Sequence, residues 1–214
     1  MKQLSYIVVE GPIGVGKTSL AKRLADTFDT RLLLEGAHEN PFLERFYQDQ
    51  RNGALPTQLF FLFQRARQME ELMQGELFSS IRVADFLMEK DRLFAELTLD
   101  KEELALYHQV YNRLVIRSPV PDLVIYLQAP LHVLQERIAQ RGIGYEQEIQ
   151  SDYLQRVAEA YTHLFYNYDA APLLIVNAQH IDFVNNDDDY ALLLNKVRSI
   201  RHGRHFFNPG IGES

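Results

Sequence analysis

Apolar positions along the chain fall into two alternating periods. Short runs in which nearly every residue is apolar, many of them β-branched, are separated by longer stretches where apolar residues recur every three or four positions. The runs lie at residues 4–9, 32–34, 81–84, 123–127 and 173–176, and each predicts a strand. The stretches between them predict helices: one up to Phe28, one from Asn40-Pro41 that Asn52-Gly53 breaks, and a long one over 57–73 started by Pro56. Further helices are expected over 87–97, over 101–117 with Asp100 as cap, from Pro130 to Arg141, over 148–168, and after Asp187-Asp188-Asp189 to about Ile200. Glycines at 75, 142 and 144 mark turns between them. Strands that are apolar along their whole length are buried on both faces. The pattern therefore predicts an α/β fold of three layers, with helices on both sides of a five-stranded parallel sheet. Residues 1–201 read as one domain, and the weakly periodic tail from His202 to Ser214 is expected to be loosely held.

Between the first strand and the first helix stands Gly11-Pro12-Ile13-Gly14-Val15-Gly16-Lys17-Thr18, which satisfies the pattern Gly-x-x-x-x-Gly-Lys-Ser/Thr at every fixed position. This is a P-loop. Glycines let the backbone curl so that several amides point at one anion, and the helix that follows adds the positive end of its dipole. Lys17 is expected to reach the terminal phosphates of a nucleotide, and the Thr18 hydroxyl to hold Mg²⁺.

Composition narrows the setting. The chain has 214 residues and a net charge of -7, with 29 acidic against 22 basic side chains, which argues against a surface built for nucleic acid. It has no cysteine, which removes disulfides, zinc–thiolate sites and a cysteine nucleophile, and suits a reducing compartment. The first strand begins at residue 4, so no signal peptide is expected, and no apolar run approaches the ~18 residues of a membrane span. A soluble cytoplasmic protein is the expectation.

Phosphoryl transfer to a hydroxyl needs a phosphate cradle, a metal, a base near the acceptor oxygen, and cations to offset developing charge. In parallel sheets ligands sit beyond the carboxyl ends of the strands, which draws attention to Glu35 after the second strand and Asp85 after the third. Asp85 is the candidate base or magnesium ligand. Arg137 and Arg141 are four apart on one predicted helix and share a face, so both can meet phosphates. Gln58 and Arg65 are seven apart on the long helix and can line one pocket. The Gln amide offers a donor and an acceptor suited to a nucleobase edge, and Arg65 can pair with Asp91. Glu146, just past Arg141-Gly142, is placed to close over an acceptor sugar.

The ordered set resembles the deoxyribonucleoside kinase family over nearly the whole chain. It comprises Gly11 to Thr18, then Glu35, Tyr47, Gln58, Arg65, the Asp85 strand end with Asp91-Arg92, Arg137, Arg141-Gly142 and Glu146. The resemblance implies a P-loop kinase that uses ATP and Mg²⁺ to phosphorylate the 5′-hydroxyl of a deoxynucleoside, with purines favoured. It implies Asp85 as the base, Gln58, Arg65 and Asp91 around the nucleobase, and Tyr47 and Glu146 at the sugar 3′-hydroxyl. Glu35 joins them among the substrate residues. Arg137 and Arg141 would belong to a lid over residues 137–148, and a loop near 177–183 would face the donor's adenine. It also implies a homodimer joined through helices. One departure stands out: the family commonly has Arg after the strand-end acid, and here Asp85 is followed by Phe86. Two other readings remain at this point. One is a thymidylate-kinase-like enzyme with a monophosphate acceptor, sharing the Glu10-Gly11 opening; the other is a nucleotide-dependent switch, for which no Asn-Lys-x-Asp guanine reader is present.

Overall fold

Alternate residues of a strand face opposite ways, and on the first strand this divides the core in two. In the computed structural model, which describes residues 4–74, 82–114 and 118–209, strand β1 (Tyr6–Glu10) is buried at every position. Ile7 and Val9 pack on one side with Leu20, Leu24, Leu193 and Val197. Tyr6 and Val8 pack on the other with Phe46, Met69, Tyr161 and Phe165. The first group comes from helices α1 (Lys17–Thr27) and α8 (Asp187–Ser199), the second from α2 (Leu43–Gln48), α3 (Gln50–Gln74) and α7 (Ser151–Tyr166). Helices thus cover both faces, the three-layer α/β arrangement expected.

The sheet has the order β2 (Arg31–Leu33), β3 (Arg82–Ala84), β1, β4 (Leu123–Gln128), β5 (Leu173–Asn177), β6 (Arg204–Phe207), and every pair is parallel. Six strands replace the five expected, because part of the tail joins the edge. The Leu173 amide donates to the Gly203 carbonyl at 3.0 Å. The Arg204 guanidinium donates to the carbonyls of Phe165, Tyr166 and Tyr168 at 2.9 to 3.2 Å, and Phe207 packs on the core. Residues 204–207 are therefore tied down.

The helical hairpin of α2 and α3 also departs from expectation. Asn52-Gly53 is not a break: the chain turns at Asp49, whose carboxylate accepts from the Asn52 amide at 3.3 Å, and α3 runs through Pro56. Proline removes the amide that would serve the Asn52 carbonyl, and the Arg45 guanidinium takes that acceptor at 3.1 Å. A Cβ on Gly53 would lie 2.4 Å from the Phe46 Cα, so the glycine is what lets the two helices touch. Helix α4 (Lys90–Thr98) starts later than expected, while the stretch over 148–168 is mostly helical as expected, formed by α7 and preceded by a 3-10 turn at Gly144–Glu148. Helix α5 (Lys101–Leu114) is capped by the Asp100 carboxylate, which accepts from the Glu103 amide at 2.9 Å. Helix α6 (Leu131–Arg141) ends at Gly142 as expected. The expected turn at Gly75, the Ile81 start of the third strand, the helix end at 115–117 and residues 210–214 of the tail lie outside the described residues. Among the described residues no helix is long and apolar enough to cross a membrane.

Candidate active site

All strands run in one direction, so the turns after β1, β2, β3 and β5 gather at one edge of the sheet, and β1 lies at its centre. The P-loop follows β1. Gly16 adopts φ 104°, a conformation open to glycine but not to L side chains without strain, and it lies against the Phe183 ring on the turn after β5. Lys17 curls back so that its ammonium donates to the Pro12 carbonyl at 3.1 Å. Burial pushes that ammonium below the ordinary lysine value, and the Lys90 charge adds to the effect.

Two cavities meet over this loop. One, of about 680 Å³, is bounded by residues 14–19, by Arg137 and Arg141, and by residues 179–185 after β5. Its wall overlaps the donor-side loop expected near 177–183, shifted by two residues; Asn177 instead donates to Asn208 at 2.7 Å. Arg137 is braced across the cavity, donating to the carbonyls of Val15 at 3.2 Å and Ala178 at 2.7 Å. The second cavity, of about 440 Å³, is lined by Glu35, Tyr47, Gln58, Arg65, Asp85, Lys90 and Glu146 together with Phe61, Phe94 and Tyr145. Lys17, Thr18 and Arg141 border both.

Within the second cavity the charged groups are tightly arranged. The Thr18 hydroxyl donates to Asp85 Oδ2 at 2.5 Å, and the Glu35 amide donates to Asp85 Oδ1 at 2.8 Å. Glu35 itself is held at both oxygens, Oε1 by Arg65 and Oε2 by Lys90 at 2.9 Å. Burial pushes the Glu35 carboxyl up, but the Lys90 and Arg65 charges outweigh it and hold the group down to about 2. Asp91 does not line the cavity; it lies behind Arg65, fully buried, and pairs with it. There burial pushes the Asp91 carboxyl up to about 6 against the pull of Arg65. Tyr47 stacks on Tyr145 with the rings 14° apart, and Arg141 Nη2 lies 2.6 Å from Glu146 Oε2. Burial raises the Glu146 carboxyl while Arg141 lowers it.

Gly11 and Pro12 border neither of these cavities, and their backbone groups serve Glu10 and Lys17. Sequence reasoning missed Lys90 and Glu10. Lys90 is 3% exposed although it sits in the run Glu89-Lys90-Asp91-Arg92, which reads as a solvated face. Its burial comes from tertiary packing against Glu10 and Glu35, for which no local signal exists. Phe86, at the position that departs from the resembled pattern, is fully buried in the apolar core.

This arrangement of P-loop, strand-end acids and two joined cavities has a match among known families. The family model described as deoxynucleoside kinase matches residues 7–202. The chain belongs to the deoxynucleoside kinase family. Deoxyguanosine kinase of Bacillus subtilis is 32% identical over 205 residues, covering 94% of this chain and 99% of the relative. Deoxyadenosine kinase of Lactobacillus acidophilus is 29% identical over 197 residues, covering 86% and 90%. In fold, the chain is similar to deoxyadenosine kinase from M. mycoides, solved with the products dCMP and dCDP. The TM-score is 0.79 at 24% identity, covering 91% of this chain and 100% of that one. The protein is thus a deoxynucleoside kinase, an enzyme whose acceptor is a nucleoside, and the monophosphate-acceptor and switch readings fall away.

Proposed function

We propose that this kinase transfers the γ-phosphoryl group of ATP to the 5′-hydroxyl of a deoxynucleoside, preferring purines, and releases ADP and the 5′-monophosphate. The observation that carries the proposal is the pair of cavities joined at Lys17 and Thr18, one walled by the P-loop and the turn after β5, the other by three acids and a stacked tyrosine pair. ATP fits the first, where Lys17, Arg137 and Arg141 face its phosphates. The nucleoside fits the second, with Gln58 and Arg65 toward the base, Asp91 bracing Arg65, and Tyr47 and Glu146 toward the 3′-hydroxyl. Purine preference is supported by the relatives named for deoxyguanosine and deoxyadenosine.

A magnesium site fits the residues present. The Thr18 hydroxyl and an Asp85 oxygen meet at 2.5 Å beside the P-loop, two hard oxygen donors of the kind that ion takes alongside phosphates and water. When bound there, Mg²⁺ offsets charge on the donor phosphates. Asp85 was the expected base, and its Oδ2 accepts from the P-loop Thr18 hydroxyl, the group expected to hold the metal. We therefore assign Asp85 with Thr18 to the magnesium side, and Glu35, 15% exposed in the acceptor cavity, to receive the proton. As the bond from O5′ to the γ-phosphorus forms, the bond from that phosphorus to the β–γ bridging oxygen breaks and the hydroxyl proton passes to Glu35. Residues 137–148 act as a lid in this scheme, since Arg141 borders both cavities and pairs with Glu146.

The domain is read as residues 1–201 with β6 as an added edge. Phe63 on α3 and Leu106 on α5 are 52% and 47% exposed, which supports a homodimer through these packed helices; sedimentation reads it directly. The cysteine-free sequence suits the cytoplasm. Incubating the protein with ATP and Mg²⁺ against the four deoxynucleosides and their monophosphates tests the function. The expected product is a purine deoxynucleoside monophosphate; turnover of monophosphates alone, or ATP hydrolysis indifferent to acceptor, defeats it.

A further inference from the structure

Lys90 is the one buried cation at this site for which the scheme above has no use. It opens α4 and is 3% exposed. Its ammonium donates to Glu35 Oε2 at 2.9 Å, stands 3.6 Å from Glu10 Oε1, and borders the acceptor cavity beside the Phe94 ring. Glu10 is otherwise occupied with backbone, accepting from the Gly11 amide at 2.8 Å and the Leu87 amide at 2.9 Å. The other cations near this corner are committed elsewhere in part: Arg65 divides itself between Glu35 and Asp91, and Lys17 donates to the Pro12 carbonyl, while Phe86 is in the apolar core and Arg92 is exposed.

We propose that Lys90 is a positioning residue for phosphoryl transfer, pinning the Glu35 carboxylate so that it stays aimed at the acceptor hydroxyl. This rests on the reading that Glu35 receives the acceptor's proton. A carboxylate hinged at Cγ can rotate away from its target. With one oxygen on Arg65 and the other on Lys90, it is pinned from two helices at once. A carboxylate so stabilised is a weak base. In a loose transfer, however, most catalysis is positioning and electrostatics, so availability and aim outweigh strength.

The groups facing Glu35 define what changes when Lys90 is removed. They are Lys90 and Asp91 on α4, Arg65 on α3, Lys17 at the start of α1, Asp85 after β3, Tyr47 on α2 and Tyr161 on α7. Lys90 is the largest of the charges holding the Glu35 carboxyl down. Its own ammonium would be lowered by burial, but Glu10 and Glu35 outweigh that and keep it charged. Losing it leaves Glu35 Oε2 without its cation, and the carboxylate is then free to turn about its remaining pair with Arg65.

The bland alternative is that Lys90 only neutralises Glu10. Four variants separate the two: Lys90→Met, Lys90→Arg, the double variant Glu10→Gln with Lys90→Met, and Glu35→Gln. Each is measured for kcat and KM with a purine deoxynucleoside and for Tm. Lys90→Met is expected to lose about 100-fold in kcat, with nucleoside KM changed less than about threefold. Lys90→Arg should recover most of the rate, and the double variant should regain Tm without regaining kcat. Wild-type kcat in the double variant, or a Lys90→Met loss that Lys90→Arg does not recover, overturns the proposal. A full-rate Glu35→Gln removes the Glu35 reading and this inference with it, whereas an inactive Glu35→Gln beside an unimpaired Lys90→Met removes only the role of Lys90.

Discussion

Two carboxylates stand at the strand ends of this kinase, and their hydrogen-bond partners differ. Asp85 accepts from the Thr18 hydroxyl and the Glu35 amide, which ties it to the P-loop side of the site. Glu35 has only side-chain cations as partners and lines the acceptor cavity. Glu35→Gln is therefore expected to cut kcat by about 10²- to 10⁴-fold with little change in nucleoside binding by calorimetry. Asp85→Asn should chiefly raise the magnesium concentration needed for half-maximal rate. The Glu35 charge also contributes to stability, with a definite sign. Its folded value lies below the ordinary 4.5, so the contribution is present above about 4.5 and lost as pH falls toward about 2. Urea titrations across that window should show the loss in wild type and less of it in Glu35→Gln. The acids, Arg65 and Asp91 were legible in the sequence by position and spacing. Lys90 was not, because a lysine within Glu89-Lys90-Asp91-Arg92 differs from a solvated one only through contacts with Glu10 and Glu35, 80 and 55 positions away.

Helices and strands were legible where their periodicity was unambiguous, and misjudged where a local breaker had a tertiary purpose. Gly53 looks like a helix stop and Pro56 like the start of a new helix. Inside α3 they are tolerated because Gly53 receives the backbone of α2 and Arg45 serves the carbonyl that Pro56 leaves free. Gly53→Ala gives a sharp test, since two effects oppose each other. Helix propensity alone favours alanine by about 1 kcal/mol. A Cβ 2.4 Å from the Phe46 Cα must push the helices apart, which costs about 1–3 kcal/mol. The clash is with backbone, so net destabilisation is expected in urea denaturation. A raised nucleoside KM should accompany it, because α2 carries Tyr47. Strand β6 escaped notice for the opposite reason: half of its side chains are exposed, and its anchors are the Arg204 guanidinium and the carbonyls at the end of α7, not apolar content.

For the molecule as a whole, the three-layer order and the gathering of site residues at one sheet edge follow from strand direction, and strand direction follows from the alternation of apolar runs with helical spacing. That is why the family pattern could be seen in the sequence while the division of labour inside the acceptor cavity could not. Which carboxylate faces the substrate depends on how an amide and two cations fill the space between β2, β3 and α4. A crystal structure of the full chain with a purine deoxynucleoside and a non-hydrolysable ATP analogue decides the matter. The 5′-oxygen is expected about 3 Å from a Glu35 oxygen, with the triphosphate over Lys17 and the base toward Gln58 and Arg65. A 5′-oxygen bonded to Asp85, with Glu35 turned away from it, contradicts the assignment.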